Sequence, residues 1–161
     1  MPLGRLAGLL GRVEDALLVL LLSVMVALAA GQILLRNAFD AGLFWGDPLL
    51  RVLVLWVGMV GAMAAARADR HITVDVVARL LPPRARRYAR ALTDACAAAV
   101  CGVLAWHAGR FVVAEYGSGA IAFAGVPAWT CELILPLGFA VMGLRYLALG
   151  LGRARGDEAP S

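Results

Sequence analysis

Lysine is absent from this sequence. All fifteen basic residues are arginine, and charged residues of both signs make up 16% of the chain. Soluble domains carry roughly 25%, so charge is too scarce for an ordinary soluble surface. Cysteine is also scarce: Cys96, Cys101 and Cys131 form no C-x-x-C pair and sit in apolar surroundings. That spacing argues against a disulfide framework or a zinc site and reads as buried, inert thiols. The only histidines are His71 and His107. A four-helix membrane cytochrome with two haems needs four axial ligands, usually histidines, and under the topology argued below these two lie on opposite sides of a membrane. There is no phosphate-binding glycine loop and no H-E-x-x-H. Gly117-Ser118-Gly119 lacks the strand–turn–helix context of a hydrolase nucleophile. No catalytic constellation can be assembled, so neither an enzyme nor a cofactor is expected.

What the chain does have is apolar sequence, 62% of it, gathered in blocks. Residues 16–35 contain no charge, with Glu14 and Asp15 before them and Arg36 after. Twenty helical residues rise about 30 Å, the thickness of a bilayer's hydrocarbon core. Arg5, Arg12 and Ala27-Leu28-Ala29 resemble a secretory signal, but the run continues through Ile33, Leu34 and Leu35 to spanning length. Three weaker blocks follow at about 49–66, 91–111 and 128–149. Their charged residues, Arg51, Asp94, Glu132 and Arg145, fall near block ends, where side chains can snorkel or meet a partner. A charge at a span's centre costs about 2.5–3.5 kcal/mol on insertion scales. The expected fold is therefore an all-α membrane domain of four helices over 1–151, with a short polar tail at 152–161.

Arginine placement sets the expected orientation. With the N-terminus inside, twelve arginines lie on the cytoplasmic side, and only Arg36, Arg51 and Arg110 lie outside. Short loops obey the positive-inside rule, which puts both termini in the cytoplasm of a bacterial inner membrane. Trp45, Trp106 and Trp129 then fall at the outer boundary, and Tyr88 and Tyr146 at the inner one, as an aromatic belt. Small residues at four-residue spacing, Gly58, Ala62 and Ala66, suit close helix packing.

The inner loop has its own pattern. Ile72, Val76 and Leu80 share a helical face, Asp75 and Arg79 are four apart, and Pro82-Pro83 ends the piece. This predicts a short amphipathic surface helix at about 72–81. The cluster Arg84, Arg86, Arg87 and Arg90 suits anionic lipid headgroups. Nucleic acid is not an expected partner, since no fold that binds it can be built here. A transport path normally shows ionisable groups near the midplane or broken helices. Here the ionisable groups avoid the midplane, and Pro136 predicts a kink in the fourth helix. The residues alone leave three readings open: a non-catalytic subunit, a small homodimeric transporter, or a membrane redox anchor.

Several segments taken together resemble one family. Trp45-Gly46-Asp47-Pro48-Leu49-Leu50-Arg51 opens the second helix. Arg67 and His71-Ile72-Thr73-Val74-Asp75 follow it. Pro82-Pro83 precedes the third helix, Gly125-Val126-Pro127-Ala128-Trp129 precedes the fourth, and Leu135-Pro136-Leu137-Gly138-Phe139 lies inside it. Their order and spacing over about 16–149 resemble the DctQ-type small membrane subunits of tripartite ATP-independent periplasmic (TRAP) transporters. That family commonly has two consecutive acidic residues where this chain has Asp47-Pro48. The resemblance implies a scaffold role beside a large DctM-type permease subunit and a periplasmic DctP-type binding protein. It implies ion-driven uptake, with sodium as the expected ion, of a small organic anion such as a carboxylate. No substrate, metal or catalytic residue is expected in the chain. The interface candidates are Trp45 and Trp129 as outer anchors, and Arg51 either paired with Asp47 or Glu132 or snorkelling. Arg67, His71 and Asp75 are expected at the turn after the second helix, with His71 equally readable as a solvated loop residue.

Overall fold

The computed structural model describes residues 2–40, 42–67 and 83–155. The predicted surface helix at 72–81, with His71 and Asp75, lies outside them. Four helices in the described residues are long and apolar enough to cross a membrane. Helix α1 is Pro2–Phe39, α2 is Gly46–Arg67 and α3 is Pro83–Ser118. The fourth span is divided into α4, Ala128–Glu132, and α5, Ile134–Arg155. The helices therefore run well past the expected boundaries. Glu14 and Asp15 lie inside α1, and α5 continues beyond the expected start of the tail at 152.

Each boundary has a local cause. Helix α1 stops where Asp40 takes a left-handed conformation, φ 48°, which a short polar side chain tolerates better than most. A turn from the Gly46 amide to the Leu43 carbonyl, 2.9 Å, leads into α2. Asp47 and Pro48 occupy the first turn of α2, where a carboxylate meets the positive helix end and a missing N–H costs nothing. The break at Leu133 follows from Pro136, which has no N–H to offer the Glu132 carbonyl one turn earlier. Bonds on either side persist, Leu133 to Trp129 at 3.1 Å and Leu137 to Leu133 at 3.3 Å.

Between α3 and α4 the glycine-rich outer segment forms a small hairpin. Strands β1, Ile121–Phe123, and β2, Val126–Pro127, pair antiparallel. Ala124 and Gly125 both have positive φ, 44° and 85°. Two such residues in succession make the tight turn whose twist matches the flanking strands. Alternation is invisible in strands this short, which is why sequence pattern alone suggests only a loop.

The helices form a row rather than a closed bundle: α1 beside α2, α2 beside α5, and α5 beside α3, with no extensive contact between α1 and α3 among the described residues. The most extensive pairing is α3 with α5. Two glycines seven residues apart on α5 allow it. A Cβ on Gly143 would lie 3.3 Å from the Cβ of Cys101, and one on Gly150 would lie 3.2 Å from the Cβ of Asp94. Seven-residue spacing keeps both on one side of the helix. On α2, Ala66 is buried and Ala62 packs against the core, but Gly58 is exposed. The expected small-residue stripe is thus only partly used. The core gathers Met59, Val60 and Ala66 from α2, Cys101 from α3, and Ile134 and Met142 from α5.

Helix α1 is inverted relative to a water-soluble helix. Val19, Leu20, Val26, Ile33 and Leu34 are exposed, while the buried residues are Gly11, Glu14 and Gln32. Its apolar middle faces outward while Glu14 and Gln32 face the protein, an arrangement suited to a hydrocarbon solvent.

Candidate functional site

The row has two ends with different chemistry. One carries the start of α1 and the end of α5, called the termini end below, and the other carries the hairpin. At the termini end, Arg145 of α5 donates to Glu14 of α1 and, through its other terminal nitrogen, to the Met63 carbonyl of α2 at 2.6 Å. Arg67, the last residue of α2, lies 3.5 Å from the second oxygen of Glu14 and donates to Asp15 at 2.6 Å. The Glu14 side chain keeps 11% of its surface and that of Arg145 keeps 19%. This cluster joins α1, α2 and α5. A second pair, Asp94 with Arg153, fastens α3 to α5, and Asp94 is 1% exposed. A buried carboxylate left alone would carry a large desolvation penalty, so these arginines fix which helices can be neighbours.

The hairpin end is held mainly by hydrogen bonds from neutral donors. Gln32 of α1 accepts from the Leu43 amide at 3.1 Å and donates to Asp47 at 3.0 Å and to the Leu43 carbonyl at 3.4 Å. It clasps the loop between α1 and α2. Gly46 passes directly over it, and a Cβ there would collide with the Gln32 amide. The Trp56 indole donates to the Cys131 carbonyl at 2.9 Å, tying α2 to the last turn of α4 just before the break. Trp129 meets Tyr116 edge-to-face, with centroids 5.5 Å apart, which levels the start of α4 with the end of α3.

The expected interface residues divide accordingly. Trp45 is half-buried in the loop before α2. Asp47 is exposed and meets Gln32 and, at 3.7 Å, Arg36. Arg51 is exposed and pairs with neither Asp47 nor Glu132. The i, i+4 pairing fails because Asp47 is already engaged by α1. Arg67 joins Glu14 and Asp15 rather than a described part of the following turn, since His71 and Asp75 lie outside the described residues. Trp129 anchors to Tyr116. Glu132 is half-buried at the break, with one carboxylate oxygen enclosed and without a hydrogen-bond partner among the described residues.

The Glu14–Arg145 and Asp94–Arg153 pairs, Gln32 and Trp56 were not foreseen. A signal existed for Gln32, the one amide in an otherwise apolar block. None existed for the pairs, because partners 131 and 59 residues apart leave no local trace. The aromatic belt needs correction. Trp106 lies ten residues before Tyr116, about 15 Å along α3, so it cannot share a level with Trp129. Among the described residues, no three His, Cys, Asp or Glu side chains gather where a metal ion would sit.

Four candidate spans in a row, tied at one end by buried ion pairs, define the architecture of a small integral membrane component. The family "Tripartite ATP-independent periplasmic transporters, DctQ component" matches residues 17–156, and the chain belongs to it. It is therefore a TRAP-transporter component of the inner membrane. The C4-dicarboxylate TRAP transporter small permease protein of Rhodobacter capsulatus is 29% identical over 135 residues, covering 83% of this chain and 60% of that protein. The ectoine TRAP transporter small permease protein of Halomonas elongata is 27% identical over 146 residues, covering 90% of this chain and 76% of that protein. A segment of 57 residues is 35% identical to the sialic acid TRAP transporter permease protein of Haemophilus influenzae, covering 35% of this chain and 9% of that protein.

Proposed function

We propose that the chain is one four-helix membrane domain that scaffolds a large permease subunit. The transporter would take up a small organic anion, such as a carboxylate, delivered by a periplasmic binding protein and driven by the sodium gradient. Both termini face the cytoplasm in this reading, and the hairpin end faces the periplasm. The observation that carries it is the family match across residues 17–156. The structure adds a physical reason: the buried carboxylates Glu14 and Asp94 are committed to arginines that hold helices together, which leaves them unavailable to move with a solute. The relatives' names mention C4-dicarboxylate, ectoine and sialic acid. Such different solutes among proteins that share sequence with this chain favour placing substrate choice outside the shared part.

Co-purification from native membranes tests the reading. A polytopic membrane protein much larger than this chain is expected to accompany it, and the purified chain alone in sodium-loaded liposomes is expected to take up no carboxylate. Sodium-driven uptake by the chain alone would defeat the proposal.

A further inference from the structure

The edge helix α3 touches only α5 and the α4 segment extensively. Its opposite side is free of the other described elements, and that side is not wholly apolar. Val103, His107, Arg110 and Val113 are all exposed, and their spacing of four, three and three keeps them on one face. Among the described residues, neither the His107 nor the Arg110 side chain has a hydrogen-bond or ion-pair partner.

Their depth corrects the expectation that ionisable groups avoid the midplane, because α3 and its candidate span extend to Ser118, beyond the expected end at 111. Tyr116 is level with Trp129, the second residue of the fourth candidate span, which runs Ala128–Arg153. His107 lies nine residues before Tyr116, about 13 Å deeper along the helix, and Arg110 lies six residues before it, about 9 Å deeper. Side chains on a helix lean toward its N-terminus, and the N-terminal end of α3 is the far side of the membrane. Arg110 therefore leans toward the middle of the candidate span, not toward its nearer end at Ser118. Ionisable groups at such positions almost always face protein or a water-filled cavity.

Charge selects the occupant. From Ala95 to Ala114 the helix contains no acidic residue. A second copy meeting this face through a two-fold axis would set arginine against arginine. A different polypeptide carrying a carboxylate would neutralise it. We propose that the free face of α3 around His107 and Arg110 is the surface on which the large permease subunit docks, bringing an acidic side chain of a transmembrane helix against them. This inference rests on the scaffold reading above.

The test is co-purification of the tagged wild-type and variant chains from native membranes, combined with photo-crosslinking from benzoylphenylalanine placed at Val103. Arg110→Glu is expected to lower recovery of the large subunit at least about tenfold, through like-charge opposition. Arg110→Leu is expected to weaken recovery less, and Val103 is expected to crosslink to the large subunit. Undiminished recovery with Arg110→Glu, or crosslinks only to lipid or to a second copy, overturns the inference while leaving the scaffold reading intact. Wild-type chain that recovers no large subunit overturns both. Because the crosslink is made with Arg110 in place, it decides the matter even if Arg110→Glu fails to fold.

Discussion

Arg145 on the last helix grips Glu14 on the first, across 131 residues of sequence, and its second terminal nitrogen holds the Met63 carbonyl of α2. One guanidinium therefore joins three of the four spans. Removing one member of a buried pair strands the other, at a cost of about 3–5 kcal/mol. Arg145→Leu and Glu14→Leu are each expected to lower the melting temperature of the detergent-solubilised chain markedly. The double variant should recover a substantial part of the loss. A double-mutant cycle measures the coupling, and strictly additive effects would show that the pair does not carry the contact.

Gln32 and Gly46 make a second test at the opposite end. Gln32→Leu leaves the Leu43 amide without its acceptor, a loss of about 1–3 kcal/mol. Gly46→Ala pushes a methyl group into the Gln32 amide. Both variants are expected to speed hydrogen exchange at Leu43 while leaving the exchange of α3 unchanged.

Trp56→Phe removes the indole donor to the Cys131 carbonyl but keeps most of the apolar bulk. The expected loss is about 0.5–1.5 kcal/mol, the net worth of one hydrogen bond, seen as a modest drop in melting temperature. A larger fall would mean that the ring's packing, rather than the bond, holds α2 to α4.

The hairpin offers a stabilising change. Ala124 sits at φ 44°, where a Cβ is unwelcome, before Gly125 at φ 85°. Asn-Gly is the favoured pair for a turn with two positive φ values. Ala124→Asn is expected to raise stability by roughly 0.4–1 kcal/mol, and Gly125→Val to lower it by more. Thermal melts of the two variants against wild type decide the point.

The number of spans was legible because four apolar blocks of bilayer length leave few alternatives. Pro136 announced the interruption of the fourth span for a reason contained in one residue. The helix ends were less legible: hydropathy marks only the apolar run, whereas α3 continues to Ser118, two turns past it, and the candidate span runs to the same residue. The family was legible from the order of short segments, none of them decisive alone. Pairings were not. Arg51 with Asp47 was a fair expectation from i, i+4 spacing, but Gln32, fifteen residues before Asp47, had the better geometry. Arg145 looked like a simple end charge because Glu14, its partner, lay outside the block taken for the first span.

The long reach of the Glu14–Arg145 pair bears on biosynthesis. Ribosomes add roughly 5–20 residues per second, so a carboxylate made at position 14 waits on the order of ten seconds or more for its main counter-ion. Arg67 arrives first, and α1 and α2 can leave the translocon as a charge-balanced hairpin. Arg145 comes only with the last span. A nascent chain stalled before position 145 would therefore hold α1 and α2 together yet lack the residue that fastens them to the rest, an incomplete form that membrane quality-control proteases could recognise by its unmatched charge.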